Sequence, residues 1–492
     1  MILDKIIKTA NANGDKAAVV TRRGIWTYKE LVNLICEVYE KIKSKGLQGT
    51  EPVGIAFHNC VEFIASLLAC AMAGNPAVLL STAFKSREMK YHIENTGVSL
   101  VLASPSLRQV LSEAGGIEAE SFLPSIKCWQ FQTKVSGRFE PGDFMCQLTS
   151  GTNGMSKAVV RTQKAVSNEV FDKAEAVNLK SGDHVLIIPP IYHSYCFGGM
   201  LAALCTGCRL TLVETFLPQD VIGILENDKV SVMFGVPIMY SMMNRVMEQR
   251  IRQGKAYGRF PDLRLCFCGG APLSKETLEE YGELFDNKIC HDYGSTETGA
   301  MCLNFEPGQF PDSVGKPIGG RIIKAFDENG MPLAAGETGE LRIKSSAVLR
   351  RYIYPDELND NTLKGEWYLT GDFGRVDGEG NVYITGRKSN IINVAGLKVD
   401  PVEIEDVISQ LSSVKEVSVV GVDSDSSGQV IKAFIVPAAE IDEKEVIYYC
   451  RKHLADFKVP RAVEFIDELP RSQTGKVLKK QLIFEEGVEV GG

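Results

Sequence analysis

The sequence predicts an α/β protein: a large N-terminal body of several subdomains with mostly parallel sheets, and a small α+β domain at the C-terminus. Three observations predict it. Short apolar runs of strand type alternate with helical runs as far as about residue 385, the pattern of parallel sheets covered by helices. The character of the chain changes near Gly386, and the roughly 100 residues beyond that point are enough to fold alone. Finally, 492 residues exceed what one core organises, so roughly two to four structural units are expected.

Leu31, Ile35, Val38 and Ile42 recur at helical spacing and predict an amphipathic helix over Lys29 to Lys45. Strands are expected at Val53 to Phe57, Pro76 to Leu80, Leu100 to Ala103, His184 to Ile188, Arg209 to Val213, Val230 to Phe234 and Leu263 to Cys268. The longest apolar stretch, Phe63 to Leu80, is broken by Gly74, Asn75 and Pro76. A membrane-spanning helix needs about 20 continuous apolar residues, so this one reads as a buried helix running into a buried strand. After Gly386 come a helix from Pro401 to Leu411, strands at Val417 to Val422 and Ile431 to Val436, and a helix from Glu443 to Leu454. Proline in the first turn suits the start of that first helix, where its missing N–H costs nothing.

Composition narrows the function. With 44% hydrophobic and 24% charged residues the chain is of ordinary soluble type. A net charge of −8 argues against a general nucleic-acid binder, which needs a basic face to neutralise phosphates. The thirteen cysteines are scattered, with one CxxC at Cys205 and Cys208 and no second pair at zinc spacing. Buried reduced thiols are expected. Charges from Asp4 onward rule out a signal-peptide core, and a cytoplasmic location is expected.

The strongest local signal is QLTSGTNGMSKAVV, residues 147–160. Thr149, Ser150 and Thr152 supply hydroxyls, Gly151 and Gly154 let main-chain N–H groups approach an anion, and Lys157 offsets phosphate charge. The Walker A spacing is absent. This stretch resembles the phosphate loop of the adenylate-forming superfamily, which includes acyl-CoA synthetases, peptide-synthetase adenylation domains and firefly luciferase. Asn153, Ser156 and Ala158 depart from the usual TSGTTGxPKGV wording. Further blocks appear in the family's order: GGAPLS (Gly269 to Ser274), HDYGSTET (His291 to Thr298), YLTGDFG (Tyr368 to Gly374), GRKSNIINVAGLKVDPVEIE (Gly386 to Glu405) and LPRSQTGKVLKK (Leu469 to Lys480).

The resemblance implies a reaction and a set of roles. A carboxylic acid is activated with ATP and Mg²⁺ as an acyl-adenylate, and the acyl group then passes to a thiol. The phosphate loop, including Asn153, binds ATP together with Gly270, Ala271, Pro272, Asp292, Gly294 and Ser295. Tyr293 stacks on adenine, Thr296 binds phosphate oxygens and Glu297 holds Mg²⁺, a metal that needs only one or two carboxylates. Asp372 holds the ribose hydroxyls and Arg387 adds donors there. Lys476 bridges carboxylate and α-phosphate, removing the repulsion between two anions. Residues 1–385 form the adenylation domain, 386–390 the hinge with Ser389 in place of the usual Asp or Lys, and 391–492 the mobile domain. Rotation about the hinge brings Gly396 and Leu397 to the thiol tunnel.

The segment PPIYHSYCFGGM, Pro189 to Met200, bears on the acid. No Asp lies between Asp183 and Glu214 to pair with an α-ammonium, so amino acids are disfavoured. His193 stands where related fatty-acyl, malonyl and coumaroyl ligases place a histidine guarding pocket and thiol tunnel. Tyr195, Phe197, Phe234, Val236, Met239, Ala300 and Met301 are candidates for lining the pocket, with a core role equally open. They point to a fatty or aryl monocarboxylic acid; a dicarboxylate would need a cation that the sequence does not reveal. No carrier signature follows Lys480, so a stand-alone enzyme using coenzyme A is expected, with a separate acyl carrier protein as the alternative acceptor.

Overall fold

The computed structural model describes residues 2–119, 122–133, 137–149, 157–254, 260–271, 273–387, 392–394, 397–399, 401–424, 428–454, 456–472 and 475–484. The chain divides into two compact units: one holds residues 1–151, 155–322 and 344–368, the other residues 323–343 and the chain from 369 onward.

The first unit is built on two sheets. A nine-stranded sheet runs, in spatial order, Lys316–Pro317, Gly299–Asn304, Ile289–Ser295, Leu265–Gly269, Val232–Gly235, His184–Ile187, Arg209–Leu212, Ala17–Thr21 and Gly24–Thr27. The six strands from Ile289–Ser295 to Ala17–Thr21 are parallel. An eight-stranded sheet runs Arg351–Tyr354, Lys157–Thr162, Asp143–Thr149, Ala77–Leu79, Val53–Ala56, Leu100–Ala103, Lys127–Gln130 and Ile117–Glu118. Its central four strands are parallel.

Two helices explain why the sheets share one core. Val61–Ala73 and Ser194–Thr206 are apolar nearly all round, and such helices must be enclosed. One cluster joins them to Ile55 and Leu102 of one sheet and Ile187 and Leu210 of the other. Gly74 ends the first of these helices at φ +80°, a left-handed conformation that glycine adopts freely, and the chain re-enters the sheet at Ala77. The predicted amphipathic helix spans Tyr28–Lys43 and buries Leu31, Ile35, Val38 and Ile42. Thr27 and Glu30 close its N-terminus as a capping box.

In the second unit, strands Ile322–Phe326, Gly339–Lys344 and Trp367–Val376 are successive neighbours in a sheet, and Val382–Arg387 pairs with the last of them. Within this unit the strand that ends at Arg387 is hydrogen-bonded to the one that begins at Trp367. A second sheet orders Leu397–Val399, Ile392–Val394, Gly428–Pro437 and Val414–Ser424, with Ala462–Phe465 parallel to Gly428–Pro437. Helices Pro401–Ser409 and Glu443–His453 supply Ile404, Ile408, Val446 and Cys450 to its core.

All thirteen cysteines are free, and only Cys36 is exposed. Among the described residues no helix is long and apolar enough to cross a membrane.

Candidate active site

In open α/β sheets ligands bind beyond the carboxyl ends of the strands, where strand order reverses. In the nine-stranded sheet the reversal lies at His184–Ile187, whose neighbours Arg209–Leu212 and Val232–Gly235 both come later in sequence. The segment leaving its carboxyl end is Ile188 to His193. The neighbouring parallel strands end in Val236, Gly269 to Ala271, and Ser295 to Glu297. Three of the sequence motifs thus converge on one edge of one sheet.

His193 is the N-cap of the helix Ser194–Thr206, and its carbonyl accepts from the N–H groups of Cys196 and Phe197. Burial holds its imidazole down to about 4, so it is neutral at physiological pH. Among the described residues its Nε2 is buried without a hydrogen-bond partner, which leaves a polar atom of the site for a ligand to satisfy. Tyr192 lies beside it, ring centroids 4.6 Å apart.

Burial also depresses His92, to about 4, and lowers His184 and His291. These groups refuse a proton in the folded state that the unfolded chain takes up below its ordinary pKa of about 6.5. Stability is therefore full above pH 6.5 and is lost as pH falls toward 4, on the order of 3 kcal/mol for His92 alone. Thermal melts across that range measure it, and an unchanged midpoint from pH 6.5 to 5 contradicts it.

The adenine-type segment forms the strand Ile289–Ser295 and the turn into Gly299–Asn304. Tyr293 is half-buried near its end. Asp292, expected among the nucleotide contacts, is 5% exposed, and its carboxylate is held at 2.6 Å by the equally buried ammonium of Lys173. Its side chain is committed inward, to Lys173. Lys173 also lies over the rings of Phe234 (4.9 Å) and Tyr195 (5.4 Å).

The helix that carries Lys173, Gln163–Ala176, makes a second buried ion pair, in which Glu169 meets Arg161 of the strand Lys157–Thr162 at 2.6 Å. Glu169 also accepts from the N–H of Ala300. A side chain at Gly198 or at Gly299 (φ +66°) would overlap this carboxylate, so both glycines are required. Ser295 and Thr298 bond through their hydroxyls at 3.0 Å, which closes the turn around Thr296. Glu297 is 9% exposed and accepts from the Tyr352 hydroxyl at 2.9 Å. Lys157 lies over that same tyrosine ring, 5.7 Å from its centroid. The phosphate-loop lysine and the magnesium carboxylate expected from sequence thus share one aromatic neighbour.

Gly270 has φ +83°, and Gly294 admits no side chain because the carbonyl of Gly299 occupies that space. Thr149 and Ala271 are half-buried at the same carboxyl edges. Ser150, Gly151, Thr152, Asn153, Gly154, Pro272, Ser389 and Gly396 lie outside the described residues. Leu397 opens a strand, but its side chain lies outside them as well.

In the second unit Asp372, 7% exposed, accepts from Arg387 Nε at 2.7 Å, so the two expected ribose contacts are paired with each other. Lys476 is exposed on a tight turn. The N–H of Ser472 donates to the Lys476 carbonyl at 2.8 Å, the N–H of Lys476 to Ser472 Oγ at 3.2 Å, and Leu478 N–H to the Pro470 carbonyl at 2.7 Å. Arg471 ties the turn to Glu416 on the strand Val414–Ser424.

The pocket-lining candidates divide. Phe197, Phe234, Val236 and Met301 are at most 1% exposed and belong to the packed interior, Ala300 and Met239 are buried close behind, and Tyr195 is half-buried. Two buried charged groups beside the site left no mark in the motifs: Lys173 and Glu169. The two lie four residues apart on one helix face, the only local signal they gave. Among the described residues no cluster of three or more His, Cys, Asp or Glu could hold a metal. A magnesium site needs only one or two carboxylates beside phosphates and water, and Glu297 offers one.

Residues 6–353 match the family model described as AMP-binding enzyme, and residues 403–476 match the AMP-binding enzyme C-terminal domain. The chain is similar to the 2-succinylbenzoate–CoA ligases of Bacillus licheniformis, at 27% identity over 96% of this chain and 98% of the relative, and of Staphylococcus aureus, at 28% over 97% and 99%. Its fold is that of ATP-bound MatB from Rhodopseudomonas palustris, with a TM-score of 0.84 and 24% identity over 98% of both chains. It is likewise that of o-succinylbenzoate CoA synthetase from Bacillus subtilis with its acyl-adenylate, at 0.81 and 23% over 99% of both. The chain belongs to the AMP-binding enzyme family and is an AMP-forming acid–thiol ligase, a class whose reaction consumes ATP with Mg²⁺ and, in its acyl-CoA synthetases, coenzyme A.

Proposed function

We propose that this enzyme activates an aryl carboxylic acid as its acyl-adenylate, releases pyrophosphate, and transfers the acyl group to coenzyme A. The observation that carries the choice of acid is the state of Asp292. Its carboxylate is deeply buried at the active edge, and Lys173 already neutralises it. A substrate ammonium would remain unpaired there at a cost of several kcal/mol, whereas an acid without an ammonium carries no such cost. The full-length similarity to ligases named for an aryl acid supports the same choice.

Each side chain then has a task. The loop from Thr149 to Lys157 receives the phosphates, Tyr293 the adenine, and Asp372 with Arg387 the ribose. Glu297, oriented by Tyr352, holds Mg²⁺. Lys476 lies between acid and α-phosphate during adenylation. The small domain, residues 391–492, then turns about 386–390, withdrawing Lys476 and presenting Gly396 and Leu397 to the pantetheine arm. His193, unprotonated, stands between acid pocket and thiol tunnel without adding a charge.

An ATP–pyrophosphate exchange screen over aryl, fatty, dicarboxylic and amino acids tests the reading. Exchange is expected with aryl acids and absent with amino acids, and added coenzyme A is expected to yield the thioester. Exchange without a coenzyme A thioester would redirect the acyl group to a carrier protein. No exchange with any acid would overturn the function.

A further inference from the structure

The segment Ile188 to His193 has the shape of a loop yet is held as firmly as a strand, and the cause is one side chain outside every motif. Asn59 is 4% exposed and lies just beyond the strand Val53–Ala56. That strand is the reversal point of the eight-stranded sheet, since Ala77–Leu79 and Leu100–Ala103 flank it and both come later in sequence. The Asn59 amide N–H₂ donates to the carbonyls of Val213 (2.9 Å), Pro189 (3.0 Å) and Ile188 (3.3 Å). Its Oδ1 accepts from the N–H of Ile191 at 2.8 Å. Gln147, on the strand that leads into the phosphate loop, donates to the carbonyl of Tyr192 at 2.9 Å. The Pro190 carbonyl accepts from the His193 N–H at 3.1 Å. These bonds hold the main chain along the whole of Ile188 to His193, and Asn59 makes most of them. A buried amide so placed joins the reversal points of both sheets.

We infer that Asn59 is a positioning residue for His193: by fixing the main chain from Ile188 to Ile191 it sets where the imidazole stands in the acyl-transfer half-reaction. The inference rests on the role proposed for His193. Small displacements of a reacting group are costly, about a hundredfold for 1 Å. Asn59→Ala removes all four bonds. Asn59→Asp keeps the acceptor for Ile191 and turns an oxygen toward three carbonyls.

A double-mutant cycle with His193→Ala tests it, read as single-turnover transfer from bound acyl-adenylate to coenzyme A and as ATP–pyrophosphate exchange. Asn59→Ala is expected to slow transfer about 10- to 100-fold in the presence of His193 and about threefold or less in its absence, with exchange falling by a smaller factor. Equal slowing in both backgrounds, or equal loss of both half-reactions, overturns the inference. Asn59→Asp carries the same cycle if the alanine variant does not yield soluble protein. A second readout is independent of turnover: in ¹³C-histidine spectra His193 is expected to titrate near 4, and in Asn59→Ala to move toward its ordinary value as water enters the loosened segment. An unmoved His193 signal also overturns the inference. Wild-type protein that forms no thioester from any acid sinks the functional reading instead, and the titration then decides the role of Asn59 alone.

Discussion

Lys476→Ala is expected to lower ATP–pyrophosphate exchange by about 10²- to 10³-fold, while transfer from preformed acyl-adenylate to coenzyme A stays within a few-fold of the wild type. Bringing a carboxylate against an anionic phosphate demands a cation between them, and the second half-reaction has no such need. The described main-chain bonds of the turn that carries Lys476 survive the substitution. Its hydrogen bonds run from Pro470 and Ser472 through main chain and Ser472 Oγ, and its brace to Glu416 comes from Arg471. Residue 476 enters those bonds through its own N–H and carbonyl, which alanine keeps. Lys476→Arg keeps the charge with a different reach and is expected to recover part of the exchange. Equal loss of both half-reactions would be evidence against a lysine that serves only the first.

Lys173→Ala is expected to destabilise the first unit by about 3–5 kcal/mol, because it strands the Asp292 carboxylate in the interior. Burial, with a smaller push from the Glu169 carboxylate, raises the pKa of Asp292, and Lys173 is the main influence opposing it. Without the ammonium this carboxyl takes up a proton or draws in water, and the strand bearing Tyr293 shifts with it. The double variant Lys173→Met with Asp292→Asn removes both charges and is expected to recover most of the loss, since replacing a buried pair with neutral groups is often harmless. Denaturant midpoints for the two single variants and the double variant decide it. Additive losses would show that the pair is not coupled.

Much of the architecture could be read from the chain because its signals are local. Leu31, Ile35, Val38 and Ile42 repeat every turn, and the helix Tyr28–Lys43 ends two residues from its expected limit. Val53, Leu100, His184 and Arg209 open strands where the apolar runs begin. The order of those strands was hidden, since pairing of Val185 with both Leu210 and Val232 depends on crossovers that leave no periodic trace. Site chemistry divides the same way. Tyr293, Glu297, Asp372 and Lys476 sit in contiguous motifs. Asn59 acts on main-chain atoms about 130 residues away, and Lys173 on Asp292 about 120 away. Main-chain acceptors have no residue identity, so no motif can announce them. The role of Asp292 shows the converse hazard: a residue inside a motif can face the interior.

The carboxylate of Glu169 fills the space that a methyl group would need at Gly198, in the helix after His193, and at Gly299, in the turn after Glu297. It also neutralises Arg161. Four positions from four separate stretches of sequence are therefore mutually dependent. Alanine at either glycine fits only if the acid is shortened, and shortening the acid leaves the guanidinium stranded. Gradual change through single steps is closed to this patch. Homologous ligases that differ here should differ at several of the four positions together, and grafting one of those substitutions alone into this chain should be worse tolerated than grafting the set.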